Sequence, residues 1–273
     1  MREARLGYDA RLVSESLSLT VPEGSFTVII GPNACGKSTT LRALARLLRP
    51  AAGTVLLDGT DIQQLGTRTL ATRLGLLPQS ATAPDGITVG SLVARGRYPH
   101  QSLFSRWSPA DARAVQAALE ATGMSELEAR LVDELSGGQR QRAWVAMALA
   151  QDTGLLLLDE PTTFLDIAHQ ISLLDLFADL HDDGRTIVAV LHDINHAARY
   201  ADHLVVMKDG RVLTEGSPTR VITSDMLADV FALEAVVIED PLNGGPLVVP
   251  AHRRRPPHPS RPNHPSRNNG ESS

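Results

Sequence analysis

Lysine is nearly absent from this sequence. Of 26 Lys+Arg residues, only Lys37 and Lys208 are lysines. There is a single cysteine, Cys35, so no internal disulfide can form and a reducing compartment is expected. No apolar run approaches the roughly 20 residues that cross a bilayer. Met1 to Tyr8 contain no apolar signal-peptide core, so a cytosolic protein is expected. Basic charge is also short, with a net charge of −5. Five arginines lie in the last 23 residues, which leaves the body at −9. An acidic body argues against nucleic acid as the main partner. The chain's 273 residues, 42% hydrophobic and 21% charged, suit a soluble globular protein of one large domain or two intimate subdomains. It has no internal repeats.

One of the two lysines stands in the most informative stretch, Gly31-Pro32-Asn33-Ala34-Cys35-Gly36-Lys37-Ser38-Thr39. Gly31, Gly36, Lys37 and Ser38 fit the pattern G-x-x-x-x-G-K-[ST]. Phe26 to Ile30 reads as a buried strand before it. Lys37 to Leu48 reads as a helix after it, with Leu41, Leu44, Leu47 and Leu48 on one face. Strand, glycine loop and helix form the context a phosphate-binding loop requires. Backbone N–H groups can surround phosphate oxygens, and the helix start offers more of them with a positive dipole end. A compact ammonium at Lys37 fits inside such a loop where a planar guanidinium would not. The expected ligand is a nucleoside triphosphate, with Lys37 on the β- and γ-phosphates and the Ser38 hydroxyl on Mg²⁺.

In chain order, Tyr8 precedes the loop. On residues alone it reads as a strand-edge packing residue, although an aromatic there can stack on a base. Leu12 to Val21 alternates like a half-buried strand. Thr54 to Leu57, with Asp58-Gly59, reads as a strand and turn. Arg73 to Pro78 reads as a strand ending at Gln79, whose amide can reach a metal or a water or simply be solvated. From residue 87 to about 150 helical periodicity dominates. Ser108-Pro109-Ala110-Asp111 is a helix start, and the helix should stop at Gly123. The preceding loop gathers Tyr98, Phe104 and Trp107, which suits either an interface or packing beneath the loop. Leu135-Ser136-Gly137-Gly138-Gln139 leads into a helix through Gln151, giving a second helix start suited to anions.

Leu155 to Leu158 reads as a buried strand ending in Asp159 and Glu160, where α/β sheets place their ligands. Asp159 can hold Mg²⁺ through water, and Glu160 can orient or deprotonate a water. Ile167 to His181 reads as a helix. Thr186 to Leu191 reads as a strand ending at His192. Lys208-Asp209-Gly210-Arg211 is a hairpin turn, and Ser224 is expected to cap a short helix. Ala235 to Val249 reads as a further strand pair around Asn243-Gly244-Gly245. From Ala251 the Arg-, Pro- and His-rich tail is expected to be disordered. Its His252, His258 and His264 read as incidental.

The order of these motifs resembles the ATP-binding subunit of an ABC transporter across residues 1 to about 250. The phosphate loop, Gln79, Leu135 to Gln139, Asp159-Glu160, Leu165-Asp166 and His192 carry the resemblance. It implies an α/β fold: a phosphate-loop NTPase (RecA-like) core with an inserted helical subdomain at about 87–150 and an antiparallel β subdomain. It also implies that Tyr8 stacks on the base, Glu160 is the catalytic carboxylate and His192 touches the γ-phosphate. Gln79 would sense Mg²⁺ and couple to the membrane partner, and Asp166 would lie in a loop crossing a dimer interface. Two copies would pack head to tail, with Ser136, Gly137, Gly138 and Gln139 of one facing the ATP of the other.

Gly96 to His100, Asp133 to Arg142 and Thr162 to Gln170, with Phe164, resemble importers of ferric siderophores more narrowly; cobalamin and haem importers are close relatives. The resemblance implies integral-membrane permease subunits as partners, a substrate-binding receptor acting indirectly, and a peripheral position on the cytoplasmic face of the cell membrane. A soluble non-transport ATPase of the family is the alternative, disfavoured by one cassette without a coiled-coil insertion. Ala34 stands where a glycine is more usual, and a negative φ is expected to accommodate its methyl. Cys35 reads as a small neutral residue, or as a site of oxidation sensitivity.

Overall fold

The computed structural model describes residues 1–8, 11–79, 82–101 and 107–251. The tail from His252 and the aromatic Phe104 lie outside the described residues.

The chain opens with β1 (Arg2–Tyr8), β2 (Arg11–Leu17) and β3 (Phe26–Ile30), then α1 (Lys37–Leu44). Short elements follow: β4 (Ala52–Thr54), β5 (Leu56–Leu57), β6 (Thr60–Asp61), α2 (Thr67–Ala71) and β7 (Leu74–Leu77). The helical stretch holds α3 (Val89–Ala94), a 3₁₀ segment (Arg95–His100), α4 (Pro109–Ala121) and α5 (Gly137–Ala150). Next come β8 (Leu155–Asp159), α6 (Ile167–Asp182), β9 (Thr186–Val190), α7 (Ile194–Tyr200), β10 (His203–Lys208) and β11 (Arg211–Gly216). The last elements are α8 (Pro218–Val221), α9 (Ser224–Phe231), β12 (Ala235–Glu239) and β13 (Pro246–Pro250).

A six-stranded sheet in the order β11-β10-β3-β9-β8-β7 forms the centre. Its pairs are parallel except for β10 with β11. Every residue of β3 is buried, as expected of a parallel strand covered on both faces. Phe26, Val28 and Ile30 point into a core shared with the α3–α5 helices, α6 and α7. Ile29 points into the other core, shared with α1 and the antiparallel sheet β2-β1-β4. The sequence thus folds as an α/β sheet with an antiparallel β layer and a helical unit, α3 to α5, packed together.

Several boundaries differ from the sequence expectations. The helix after the phosphate loop ends at Leu44, not Leu48, because Arg46 adopts φ 59° and turns the chain. Leu47 is left 66% exposed, so the leucine periodicity continued past the true stop. The second strand ends at Leu17. The stretch from Thr54 to Leu57 divides between two short strands in different sheets. Thr223, not Ser224, caps α9, its side chain accepting from the Met226 N–H. Ser108 caps α4 as expected, in a reciprocal capping box with Asp111.

Arg97 and Asp111 form a buried ion pair, Nε to Oδ1 at 2.9 Å, with side chains 7% and 6% exposed. Arg97 Nη1 also donates to the Ala150 carbonyl at the end of α5. The guanidinium therefore joins the start of α4 to the end of α5. Gly96 beside it lets the backbones meet, since a Cβ there would lie 2.3 Å from the Met147 carbonyl oxygen. Of the aromatics in this region, Tyr98 and Trp107 are exposed.

Candidate functional site

The loop from Gly31 to Thr39 leaves the C-terminal end of β3 and enters α1. Its glycines are required by geometry. A Cβ at Gly31 would lie 2.2 Å from the Met207 carbonyl oxygen, and Gly36 adopts φ 106°. Ala34 takes φ 62°, so the expected negative φ is corrected: its methyl is carried in the left-handed region. An L-residue held there costs on the order of 1 kcal/mol.

Lys37 is buried, and its ammonium donates to the carbonyls of Gly31 (2.8 Å) and Pro32 (2.9 Å). An ammonium has three donors, so one remains for an anion. Ser38 Oγ donates to Asp159 Oδ1 at 2.8 Å. Burial raises the Asp159 pKa, and the Ser38 hydrogen bond works against that rise. A hydroxyl and a carboxylate so placed are hard oxygen donors suited to a divalent cation such as Mg²⁺. Cys35 turns away from the loop mouth into the core beside Leu41 and Met207. Burial pushes its thiol pKa up, the opposite of activation.

Three neighbouring strands deliver the remaining polar groups. Glu160 follows β8, His192 follows β9, and Gln79 follows β7. His192 Nε2 lies 2.7 Å from Glu160 Oε1, and Gln79 Nε2 donates to Glu160 Oε2 at 2.7 Å. Glu160 has φ 53°, a turned conformation that aims its side chain off the strand end. Thr163 Oγ1 adds a longer bond to Glu160 Oε2 at 3.4 Å.

These groups open onto a cavity of about 560 Å³ lined by Tyr8, Asn33, Ala34, Gly36 to Thr39, Gln79, Glu160 and His192, and also by Arg11 and Val13. Tyr8 is half-exposed, and its hydroxyl accepts from Arg42 Nη1 at 3.2 Å. Arg11 and Val13 were not singled out from the sequence. Arg11 is the cross-strand partner of Tyr8 in the β1–β2 pair, a relation visible only once the register is known.

Ser136 to Gln139 do not line this cavity. Ser136 caps α5 and exchanges two hydrogen bonds with Gln139, from the Gln139 N–H to Ser136 Oγ and from the Ser136 N–H to Gln139 Oε1. Gly138 allows close packing, since a Cβ there would lie 3.2 Å from Leu165 Cδ2. Gln141 Nε2 donates to the Pro161 carbonyl. Helix α5 is thereby fixed to the segment after Glu160. Asp166 caps α6 through the His169 N–H. Phe164, before Asp166, is 80% exposed at φ 67°, and Ile167, just after it, is 77% exposed.

Comparison with known proteins places the chain in one family. The family description "ABC transporter" matches residues 14–163. The ferric enterobactin transport ATP-binding protein of Escherichia coli (strain K12) is 53% identical over 252 residues, covering 92% of this chain and 93% of the relative. A siderophore transport system ATP-binding protein of Bacillus subtilis (strain 168) is 53% identical over 251 residues, covering 92% and 91%. Among solved structures, a metal-chelate type ABC transporter in an inward-facing conformation superimposes with a TM-score of 0.77 at 27% identity, covering 92% of this chain and 96% of that one. A dimeric ATP-binding cassette in a post-hydrolysis state with ADP and Pi gives a TM-score of 0.71 at 27% identity, covering 79% and 97%. The chain belongs to the ATP-binding cassettes of ABC transporters.

Proposed function

We propose that this chain hydrolyses ATP to power import of a ferric siderophore-type chelate through a separate membrane permease. The observation that carries the hydrolytic reading is the meeting of Glu160, His192 and Gln79 at the mouth of the phosphate-loop cavity. The cargo reading rests on relatives whose names specify ferric enterobactin, siderophore, petrobactin and iron(3+)-hydroxamate transport.

In this reading the purine lies against Tyr8. The phosphates lie on the backbone of Gly31, Pro32, Asn33, Ala34, Cys35, Gly36, Lys37, Ser38 and Thr39. The third donor of Lys37 goes to a β- or γ-phosphate oxygen. Mg²⁺, ligated by Ser38 and through water by Asp159 and Gln79, would neutralise charge on the phosphates. Glu160 takes a proton from water as its oxygen bonds the γ-phosphorus and the bond to ADP breaks. His192 turns from Glu160 toward the γ-phosphate.

Because Ser136 to Gln139 lie outside their own chain's cavity, a second copy supplies them in a head-to-tail dimer, with Asp166 in the crossing loop. The permease and, through it, a substrate-binding receptor are the further partners. No helix of the described residues is long and apolar enough to cross a membrane, and we place the protein peripherally on the cytoplasmic face. Deleting the gene should abolish uptake of labelled ferric siderophore and impair growth under iron limitation, with rescue by excess iron salt. Normal siderophore uptake in the deletion strain would overturn the cargo assignment.

A further inference from the structure

The wall of the nucleotide cavity changes character from one end to the other. At the phosphate end Glu160 is bonded to both Gln79 and His192, and Ser38 is bonded to Asp159. Val13 packs against the phosphate loop, since a Cβ added at Gly36 would lie 3.0 Å from Val13 Cγ1. Toward the β1–β2 turn the described lining side chains are Tyr8 and Arg11, directly opposite each other in that strand pair. Directly opposed residues share one face of a sheet. The Arg11 side chain therefore stands beside the Tyr8 ring, on the cavity side.

Arg42 holds the Tyr8 hydroxyl through its Nη1 at 3.2 Å. Among the described residues no carboxylate pairs with Arg11; Glu15, the one acid of β2, pairs with Arg211. A guanidinium offers five N–H donors and no acceptor. Stacking on an aromatic ring is tolerant of the base, because every base has a π-face. Discrimination between bases at this end of the cavity then falls to Arg11. Guanine turns two acceptors, O6 and N7, to such a fork, whereas adenine turns N7 and a 6-amino donor. A donor-only guanidinium gains two bonds from guanine and meets a second donor on adenine.

We propose that Arg11 reads the base, and that the site hydrolyses GTP as well as ATP. The inference rests on the proposed placement of the purine against Tyr8. GTP carries the same triphosphate, so Lys37, Ser38, Glu160 and His192 act on it as they act on ATP. Water oxygen bonds the γ-phosphorus, Glu160 takes the water proton, and the bond to GDP breaks, leaving GDP and phosphate. Only the base end differs between the two substrates. A contact to the base is the same in the ground state and the transition state. Arg11 therefore sets KM and leaves kcat to the groups at the phosphate end.

The test measures steady-state hydrolysis of ATP, GTP and ITP by the full chain. ITP carries O6 and N7 but lacks the 2-amino group of guanine, so it isolates the edge assigned to Arg11. For GTP and for ITP, kcat/KM should be no less than about a third of that for ATP, and a lower ratio for either overturns the proposal. Arg11→Ala should lower the GTP-to-ATP ratio of kcat/KM about tenfold, through KM. Arg11→Gln should lower it at least as far, because an amide can donate to N7 and accept from the 6-amino group of adenine. An equal loss for all three nucleotides would make Arg11 a phosphate contact, and the proposal would be wrong. Equilibrium binding by the full chain carrying Glu160→Gln distinguishes this failure from that of the reading beneath it. ATP bound with GTP refused overturns this inference alone. If neither nucleotide binds, the nucleotide site itself is misassigned and this inference falls with it.

Discussion

His192 Nε2 and Glu160 Oε1 are 2.7 Å apart, joined across the ends of two adjacent strands. Gln79 holds the other carboxylate oxygen at the same distance. A carboxylate with both oxygens engaged is a restrained base. Release of one oxygen must accompany proton transfer, and a γ-phosphate competing for the imidazole would provide it. His192→Ala should therefore lower steady-state hydrolysis by about 10²-fold, while equilibrium ATP binding stays close to normal. A variant that hydrolyses ATP normally would remove His192 from the catalytic group.

Ala34 holds φ 62°. Replacing it by glycine removes the left-handed penalty but frees the unfolded chain, and the first effect is the larger. Ala34→Gly should raise the melting temperature by about 1–3 °C in scanning calorimetry without nucleotide. ATP affinity should be retained, because the backbone N–H groups keep their directions. A lowered melting temperature would mean that the methyl packs favourably enough to offset its backbone cost.

Asp111 is held at a pKa of about 2, below its usual 3.8, chiefly by the Arg97 hydrogen bond and despite burial. A depressed carboxylate stabilises the fold above its unfolded pKa, and that stability is lost as pH falls from about 4 toward 2. Asp111→Asn leaves Arg97 buried beside a neutral amide. It should cost on the order of 3 kcal/mol at pH 7, read from urea unfolding. The gap between variant and parent should shrink as pH falls through the 4-to-2 window. A gap that does not depend on pH there would show that shape, not charge, matters at this site.

The phosphate loop was legible because its glycines are demanded by backbone geometry, and that demand leaves a mark in the sequence. Glu160, Gln79 and His192 were each legible as polar residues at strand ends. Their meeting follows from the strand order β9-β8-β7, which no local pattern encodes. The left-handed turn at Ala34 left no mark, because alanine carries no sign of φ. Arg11 drew no attention in the sequence, since only its register opposite Tyr8 brings it to the cavity. The Gly96-Arg97 stretch carried a family resemblance in the sequence. In the fold it is an internal clamp, since Gly96 admits the α5 backbone and Arg97 binds Asp111 and Ala150.

Glu160→Gln and Ser136→Arg should both abolish hydrolysis, but for different reasons. Glutamine keeps the shape of the side chain and can still bond to His192, yet it cannot take a proton from water. ATP binding through Gly36, Lys37 and Ser38 is left intact. Loss of the γ-phosphate, the event that would open the dimer, is blocked, so the ATP-bound dimer should accumulate. Arginine at position 136 replaces the cap of α5 with bulk at an end that lies outside its own chain's cavity. The monomer should still bind ATP but fail to close on its partner. Size-exclusion chromatography with ATP in the absence of Mg²⁺ separates the two, with only Glu160→Gln shifting to the dimer. Near-normal hydrolysis by Glu160→Gln would exclude Glu160 as the base. Normal dimerisation of Ser136→Arg would mean that the helix start does not face the partner's ATP.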